Sequence, residues 1–152
     1  MSEVLSAFAG HWSGPEQIAP TRWGPGGMAT GHVASRLALG GSVLVQDYRE
    51  ERDGHPALQV HAVFVADKEP GRFTLYWFDS YGFVPQEPAV GHWDGSTLEF
   101  LRCSPRGRTR HVYQPIDARS YRLTLESSFD EGASWEPLLD AQYTRVEGSA
   151  GD

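Results

Sequence analysis

Glycine and proline interrupt this chain at short intervals along its whole length. The 152 residues include 17 glycines and 10 prolines, and these are scattered rather than clustered. Because each of them destabilises the interior of a helix, a helix bundle is excluded. Two of the interruptions, Asp53-Gly54 and Asp94-Gly95, are residue pairs that favour two-residue hairpin turns. The pattern therefore predicts many short strands joined by tight turns.

Ten segments between these interruptions have the character of strands. In one of them Tyr121, Leu123 and Leu125 share a face opposite polar residues, which is typical of an antiparallel sheet with one solvated face. Such a series with almost no helix predicts an all-β fold, an antiparallel up-and-down β-barrel of about ten strands that leaves no free sheet edge. The predicted strands are residues 10–19 (broken at Gly14-Pro15), 28–39, 43–51, 57–67, 72–80, 88–93, 96–103, 107–115, 119–128 and 134–146.

One short helix is predicted before the first strand, within residues 2–9. Ser2 is suited to cap its first turn, because a serine hydroxyl accepts a hydrogen bond from a backbone N–H there. Leu5 and Phe8 fall on one apolar face. Gly10 is expected to end the helix.

The length and composition fit one folded domain rather than two. We expect a single barrel domain over residues 1–146 and a flexible polar tail over residues 147–152. The net charge of −7, from 20 acidic against 13 basic residues, disfavours binding to nucleic-acid phosphates. Cys103 stands alone, which excludes an internal disulfide and a cysteine-based zinc site.

The chain carries no recognisable membrane or export signal. No apolar run approaches the roughly 20 residues that a membrane-spanning helix needs. The first residues, MSEVLSAFAG, lack the basic start and long apolar stretch of a signal peptide. We therefore expect a cytoplasmic protein without a membrane partner.

The first predicted strand contains a Gly-x-Trp motif, Gly10-His-Trp12, directly after the short helix. This opening resembles that of the calycin superfamily, which includes lipocalins, fatty-acid-binding proteins and nitrobindins. Segments 32–48, 91–100 and 121–145 are also similar to a bacterial family of unknown function placed in that superfamily. The resemblance implies a calycin-like barrel. In such a barrel Trp12 is a structural plug of the closed end, and Gly10 lets neighbouring backbone approach closely.

The resemblance also raises the question of a cofactor. Nitrobindins hold heme through a histidine on a strand near the C-terminus, and the last predicted strand here, ASWEPLLDAQYTRV, contains none. His111 on the eighth strand would have to substitute, so heme is not expected, and no other cofactor is implied. The six histidines of the chain are not paired at metal-ligand spacing, and no metal site is predicted.

Inward-facing aromatic and ionisable residues are the candidates for a ligand cavity inside the barrel. They are Tyr48, Trp77, Asp79, His111, Tyr113 and Tyr143. No catalytic residue is predicted. The sequence favours a protein that binds a small apolar or amphipathic molecule in the barrel lumen.

Two alternatives stay open beside ligand binding. One is an enzyme that acts on a small hydrophobic substrate in the same cavity, with His111 or Asp79 as acid or base. The other is a barrel whose interior is filled by side chains and which serves as a structural or interaction module. An arginine-rich segment over residues 102–122 would suit an acidic partner or a second copy of the chain in a homodimer.

Two local patterns are expected to be structural. Ser128-x-Asp130-x-Gly132-x-x-Trp135 matches an Asp box, in which the aspartate holds a hairpin turn together. Glu50-Glu51 lies at a predicted strand end, where charged side chains are normally solvated. A buried carboxyl pair is therefore not predicted.

Overall fold

A computed structural model describes residues 2–82, 84–105 and 107–146. The elements are one helix, α1, a short 3-10 helix at Leu39–Gly41, and ten strands. Helix α1 spans Glu3–Ser6, and the strands are β1 (Gly10–Ile18), β2 (Gly27–Ala38), β3 (Val43–Arg52), β4 (His55–Ala66), β5 (Arg72–Asp79), β6 (Ala89–Trp93), β7 (Leu98–Ser104), β8 (Gly107–Asp117), β9 (Ser120–Ser128) and β10 (Glu136–Arg145).

The ten strands form one closed antiparallel barrel in which each strand pairs with its neighbours in sequence. The barrel closes where β1 pairs with β10, with Trp12 opposite Arg145 and Glu16 opposite Ala141. The prediction of an all-β, up-and-down barrel with a short N-terminal helix is therefore confirmed. The predicted tail over residues 147–152 lies outside the described residues.

The predicted hairpin turns have the backbone conformations that their residues favour. Asp53 and Gly54 both have positive φ, 53° and 76°, as the turn joining two antiparallel strands requires. At the second turn the Asp94 carboxylate accepts hydrogen bonds from the backbone N–H groups of Ser96 and Thr97, both at 2.8 Å. These bonds hold the pKa of Asp94 down at about 2.

The Asp box forms the hairpin turn between β9 and β10. The Asp130 carboxylate accepts hydrogen bonds from the Ser128 hydroxyl and the Ser134 backbone N–H, both at 2.8 Å. Gly132 has a positive φ of 90°, and Glu131 before it also has a positive φ of 60°. The guanidinium carbon of Arg110 lies over the Trp135 ring, 4.1 Å from the centroid of that ring.

Three predicted boundaries are wrong. Strand β1 runs without a break through Gly14-Pro15. A Cβ on Gly14 would lie 2.0 Å from the backbone oxygen of Gln142, so this glycine permits close approach of β10 rather than a turn. Strand β8 continues past Pro115 to Asp117 because a bulge accommodates the proline. Helix α1 lies within residues 2–9 and is capped by Ser2 as predicted, but it ends at Ser6 rather than at Gly10.

The end of the barrel next to α1 is packed with aromatic rings. Phe8 makes edge contacts with Tyr113 and Tyr121, at 6.0 and 5.2 Å between ring centroids. Phe64 makes similar contacts with Phe100 and Tyr113. All of these side chains are buried. The helix and these rings together close one end of the barrel.

None of the helices in the described residues has the length and apolar character that crossing a bilayer requires.

Candidate functional site

The two ends of the barrel differ in how tightly the interior is filled. Near α1 the space that remains is a cavity of about 10 Å³, lined by Leu5, Phe8, Tyr113 and four other residues. That volume suits about one water molecule. The part of the interior next to α1, which we call the lower lumen, is thus a packed core. At the opposite end four inward-facing apolar side chains are only partly buried, and they are Leu58, Trp77, Leu125 and Leu139. We call this end the mouth of the barrel.

Two glutamates and two tyrosines form an acidic cluster inside the barrel. The Tyr48 hydroxyl oxygen lies 2.5 Å from Oε2 of Glu16 and 2.9 Å from Oε2 of Glu50. Tyr143 donates a second short hydrogen bond to the same oxygen of Glu16. Glu16 is 0% exposed and Glu50 is 7% exposed. The cluster joins β1, β3 and β10 across the seam at which the barrel closes.

Burial dominates the ionisation of this cluster. Loss of hydration and then the hydrogen bond with Glu50 raise the pKa of Glu16, and the hydroxyls of Tyr143 and Tyr48 lower it, so that the net pKa is about 8. Burial next to these carboxyl groups also raises the pKa of Tyr48 and Tyr143. Glu16 is therefore largely protonated at pH 7, and both tyrosines are neutral.

A basic pair lies on the neighbouring strands β7 and β8. The Arg102 guanidinium donates through Nε to Nε2 of His111, at 3.3 Å. Burial, and then the positive charge of Arg102, lowers the pKa of His111 well below its ordinary value. His111 is thus neutral, and because Nε2 accepts a hydrogen bond, its proton lies on Nδ1. A histidine in this state does not act as an acid near neutral pH.

Arg102 is an inward-facing cation without an ion-pair partner. Its guanidinium carbon lies 4.9 Å from the centroid of the Trp77 ring. In the part of the chain that the structure describes, no carboxylate oxygen lies within 4.0 Å of its nitrogens. Burial lowers its pKa and the charge of Asp79 partly offsets this, but an arginine keeps its proton in either case.

Three polar atoms of the interior have no hydrogen-bond partner among the described protein atoms. They are Oε1 of Glu16, Nδ1 of His111 and the hydroxyl of Tyr113. Buried polar groups are nearly always paired, so each such atom calls for a water molecule or a bound ligand. Glu16 belongs to the acidic cluster and His111 to the basic pair, and Tyr113 is the next inward residue after His111 on β8.

A groove of about 680 Å³ lies on the outer face of strands β1 to β5. Its lining alternates between outward side chains, such as Asp47, Arg49 and His61, and the backbone of inward residues between them. The charged side chains are already paired, since Nδ1 of His61 lies 2.7 Å from Asp47 and Arg49 bonds Glu51. The groove therefore presents satisfied polar groups, unlike the interior.

The six predicted cavity residues all face the interior, but they belong to different places. Tyr48 and Tyr143 lie in the acidic cluster, whereas His111 and Tyr113 lie in the packed core. Trp77 and Asp79 are at the mouth, and the Trp77 indole donates to the Asp79 carboxylate at 3.1 Å. The two residues of the predicted plug are at the closed end, where the Trp12 indole donates to the backbone oxygen of Phe8 and Gly10 has a φ of 115°.

Three residues of these interior clusters are not predicted from the sequence, namely Glu16, Glu50 and Arg102. The expectation that Glu50 is solvated is wrong, because the inward face of β3 continues through Tyr48 to Glu50. Arg102 follows Leu98 and Phe100 at alternate positions, and this period of two would have placed it inside. No sequence signal identifies Glu16, because Gly14-Pro15 predicts a break in the strand just before it.

One expectation from the sequence concerns heme, and it depends on the surroundings of His111. His111 faces the interior, while the other five histidines lie on the outer face of the barrel. His111 is 0% exposed, its Nε2 accepts from Arg102, and the Trp77 ring packs 4.9 Å from it. Both ring nitrogens are thus enclosed by protein atoms.

Replacing His111 with alanine is expected to lower the free energy of unfolding by about 2–4 kcal/mol, because it empties a fully buried site. Urea denaturation measures the change. The matched control is His55→Ala at the exposed start of β4, which should leave stability nearly unchanged. An equally small effect at His111 would mean that this side chain borders open space.

The fold and interior define a class: a closed ten-stranded antiparallel barrel with a packed lower half and ionisable groups towards its mouth. More particularly, the chain belongs to the family described as "Protein of unknown function (DUF1579)", whose model matches residues 1–145. No curated protein matches the sequence.

Solved structures with little sequence identity share the fold. Rv2717c from M. tuberculosis matches with a TM-score of 0.75 and 18% identity, over 95% of this chain and 96% of that one. The S-type phycobiliprotein lyase CPES from Guillardia theta matches with a TM-score of 0.73 and 8% identity, over 96% of this chain and 92% of that one. At these identities the likeness concerns the fold alone.

Proposed function

We propose that this protein binds a small amphipathic molecule with an anionic head at the mouth of the barrel. The head, a carboxylate in the simplest case, pairs with the guanidinium of Arg102. The apolar part packs against the partly buried side chains at the mouth. The packed lower lumen keeps the ligand near the open end rather than deep inside.

The observation that carries this proposal is the inward guanidinium of Arg102 without a carboxylate partner. A buried charge is normally paired, because removing it from water is otherwise costly. Here a neutral histidine nitrogen and the face of Trp77 are its closest contacts. Arginine is also suited to bind a carboxylate through two parallel hydrogen bonds. A ligand anion would supply the missing partner.

The apolar part of the site consists of side chains that the barrel itself leaves partly uncovered. Leu58, Leu125 and Leu139 face inward near the mouth and are half-buried, whereas the aromatic rings that pack together near α1 are buried. Burying apolar surface contributes about 25 cal/mol per Å². An apolar chain covering these residues therefore adds affinity to the charged contact.

The calycin-like assignment supports the same proposal. The Gly10-x-Trp12 opening and the closed barrel agree with the superfamily to which ligand-binding barrels such as lipocalins belong. One structure with this fold is, by its name, a phycobiliprotein lyase. For this chain we propose binding of a small molecule, without assigning a reaction.

Decanoate is the probe that tests the site, with decan-1-ol as its uncharged counterpart. Isothermal titration calorimetry should show tighter binding of decanoate than of the alcohol. In the Arg102→Met variant the affinity for decanoate is expected to fall about 10- to 100-fold, since hydrogen bonds to charged groups contribute about 1.5–3 kcal/mol. The affinity for decan-1-ol should change little.

Arg122→Met is the matched control. Arg122 carries the same charge but lies on the outer face of β9, where it is paired with Asp140 at 2.6 Å. This variant should bind decanoate as the unmodified protein does. The proposal is wrong if Arg102→Met also binds decanoate unchanged, or if the alcohol binds the unmodified protein as tightly as the acid.

A further inference from the structure

We propose that Glu16 and Glu50 form a single-proton site in the barrel interior, and that release of this proton weakens the binding of an anionic ligand at Arg102. The second half of this inference rests on the function proposed above. The first half stands on the contacts of the acidic cluster.

Counting protons across the cluster shows why one carboxyl group keeps its proton. The Tyr48 hydroxyl has one proton and is within hydrogen-bond distance of two carboxyl oxygens, one from Glu16 and one from Glu50. It can donate to one of them only. The other contact is attractive only if that carboxyl group donates a proton to the phenol oxygen. Two ionised carboxylates would repel each other in this place.

The hydroxyl of Tyr143 does not remove this constraint. It donates to the Oε2 atom of Glu16 that Tyr48 also contacts, so it can stabilise one negative charge within the pair. The cluster thus has the donors to hold one carboxylate and lacks those for a second one. Oε1 of Glu16 has no partner at all.

The surroundings supply little else that could neutralise a second charge. Strand β2 contributes Gly31, and a Cβ at this position would lie 2.4 Å from Oε2 of Glu16. The absence of a side chain there makes room for the carboxyl group but brings no donor. The titratable groups that interact with the pair are Tyr48, Tyr121, Tyr143 and Tyr81. Arg52 and Asp79 lie next in line, because their charges act on Tyr81.

Arg52 is the cation of this set, and it lies beyond Glu50 towards the mouth. Its charge lowers the pKa of Tyr81, against the effects of Glu50 and Asp79. A Cβ added to Gly27 would lie 3.0 Å from the Arg52 guanidinium. Among the described residues it makes no ion pair with Glu16 or Glu50 within 4.0 Å. The inner carboxyl group therefore depends on its proton for neutrality.

The two sites share one lumen through Asp79. The charge of Asp79 raises the pKa of Arg102. The charges of Glu50 and Asp79 both raise the pKa of Tyr81. Loss of the shared proton adds a negative charge to this row of groups. Because the interior screens charges less than water does, we expect the affinity for a carboxylate ligand to fall about fivefold when the proton leaves.

Infrared spectroscopy over a pH series tests the proton site directly. A protonated carboxyl group has a C=O stretching band that ionised carboxylates lack. We expect this band at pH 7 and its loss as the pH rises past about 8. It should be absent at pH 7 from Glu16→Gln, and in Glu50→Gln it should be lost at a lower pH, because the hydrogen bond and charge of Glu50 help burial to raise the pKa of Glu16.

Glu126→Gln is the control, because Glu126 lies on the outer face and pairs with Arg110 at 3.1 Å. It should keep the band and its pH dependence. A protein without the band at pH 7, or one in which both interior variants retain it with unchanged pH dependence, would overturn the single-proton site. Using two interior variants guards against one of them failing to fold.

Decanoate titrations at pH 7 and pH 9 test the coupling. We expect about fivefold weaker binding at pH 9 in the unmodified protein and no such change in Glu16→Gln. Equal pH dependence in both proteins would overturn the coupling. If the infrared band is present but decanoate does not bind at all, the function proposed at Arg102 and the coupling both fail, while the single-proton site stands.

Discussion

Replacing Trp12 with alanine is expected to lower the free energy of unfolding by about 3–5 kcal/mol, the range for truncating a large buried aromatic. Trp12 is 1% exposed, and its ring lies 4.9 Å from that of Tyr121. The Arg145 guanidinium lies 4.2 Å from the indole and also donates to the backbone oxygen of Ala9 at 2.8 Å. Urea denaturation followed by circular dichroism measures the loss.

The control for this change is Phe78→Ala on the outer face of β5, where the ring is 48% exposed. That variant should stay within about 0.5 kcal/mol of the unmodified protein. Comparable losses of unfolding free energy in the two variants would mean that Trp12 stabilises the barrel no more than an exposed ring does. Trp12→Phe should fall between them, because it keeps most of the ring but loses the indole hydrogen bond to Phe8.

Raising the pH from 5 to 8 is expected to destabilise the protein through Glu16. The folded state raises the pKa of this carboxyl group from 4.5 to about 8. Between those values the folded protein binds a proton that the unfolded chain releases, so the contribution of Glu16 to stability is greatest below pH 4.5 and falls as the pH rises. The limiting slope for one proton is about 1.4 kcal/mol per pH unit.

Urea denaturation of Glu16→Gln over the same pH range isolates this contribution. Glutamine has the same shape and no proton to lose, so the difference in stability between the two proteins should shift steadily in favour of the variant as the pH rises. Glu126→Gln should follow the unmodified protein in parallel. A constant difference between Glu16→Gln and the unmodified protein would show that Glu16 is ionised when folded.

Much of the fold could be predicted from local residue patterns. The Asp53-Gly54 turn, for example, needs positive φ at both residues, and few other pairs adopt it at low cost. The errors arose where a residue had a tertiary role instead of a local one. Gly14 looks like a turn residue in sequence, but in the barrel its missing side chain lets β10 approach β1.

The acidic cluster could not be predicted by the same means. Hydrophobic alternation assigns a strand face only when apolar residues mark it, and the inward face of β3 carries Gln46, Tyr48 and Glu50 after Leu44. Whether such a face is solvated depends on what lies across the lumen. Glu16 and Tyr143 are 127 positions apart, so only closure of the barrel brings them together.

The pairing of β1 with β10 is expected to form last when this barrel folds. Nine of the ten pairings join consecutive strands and need only short loops to close, whereas this one joins strands separated by nearly the whole chain. Local contacts form quickly, and contacts across long loops form slowly. The site that holds the proton therefore does not exist in a partly folded chain. We expect Glu16 to take up its proton only when β1 has paired with β10. The time at which the carboxyl infrared band appears during refolding should therefore measure the time of barrel closure.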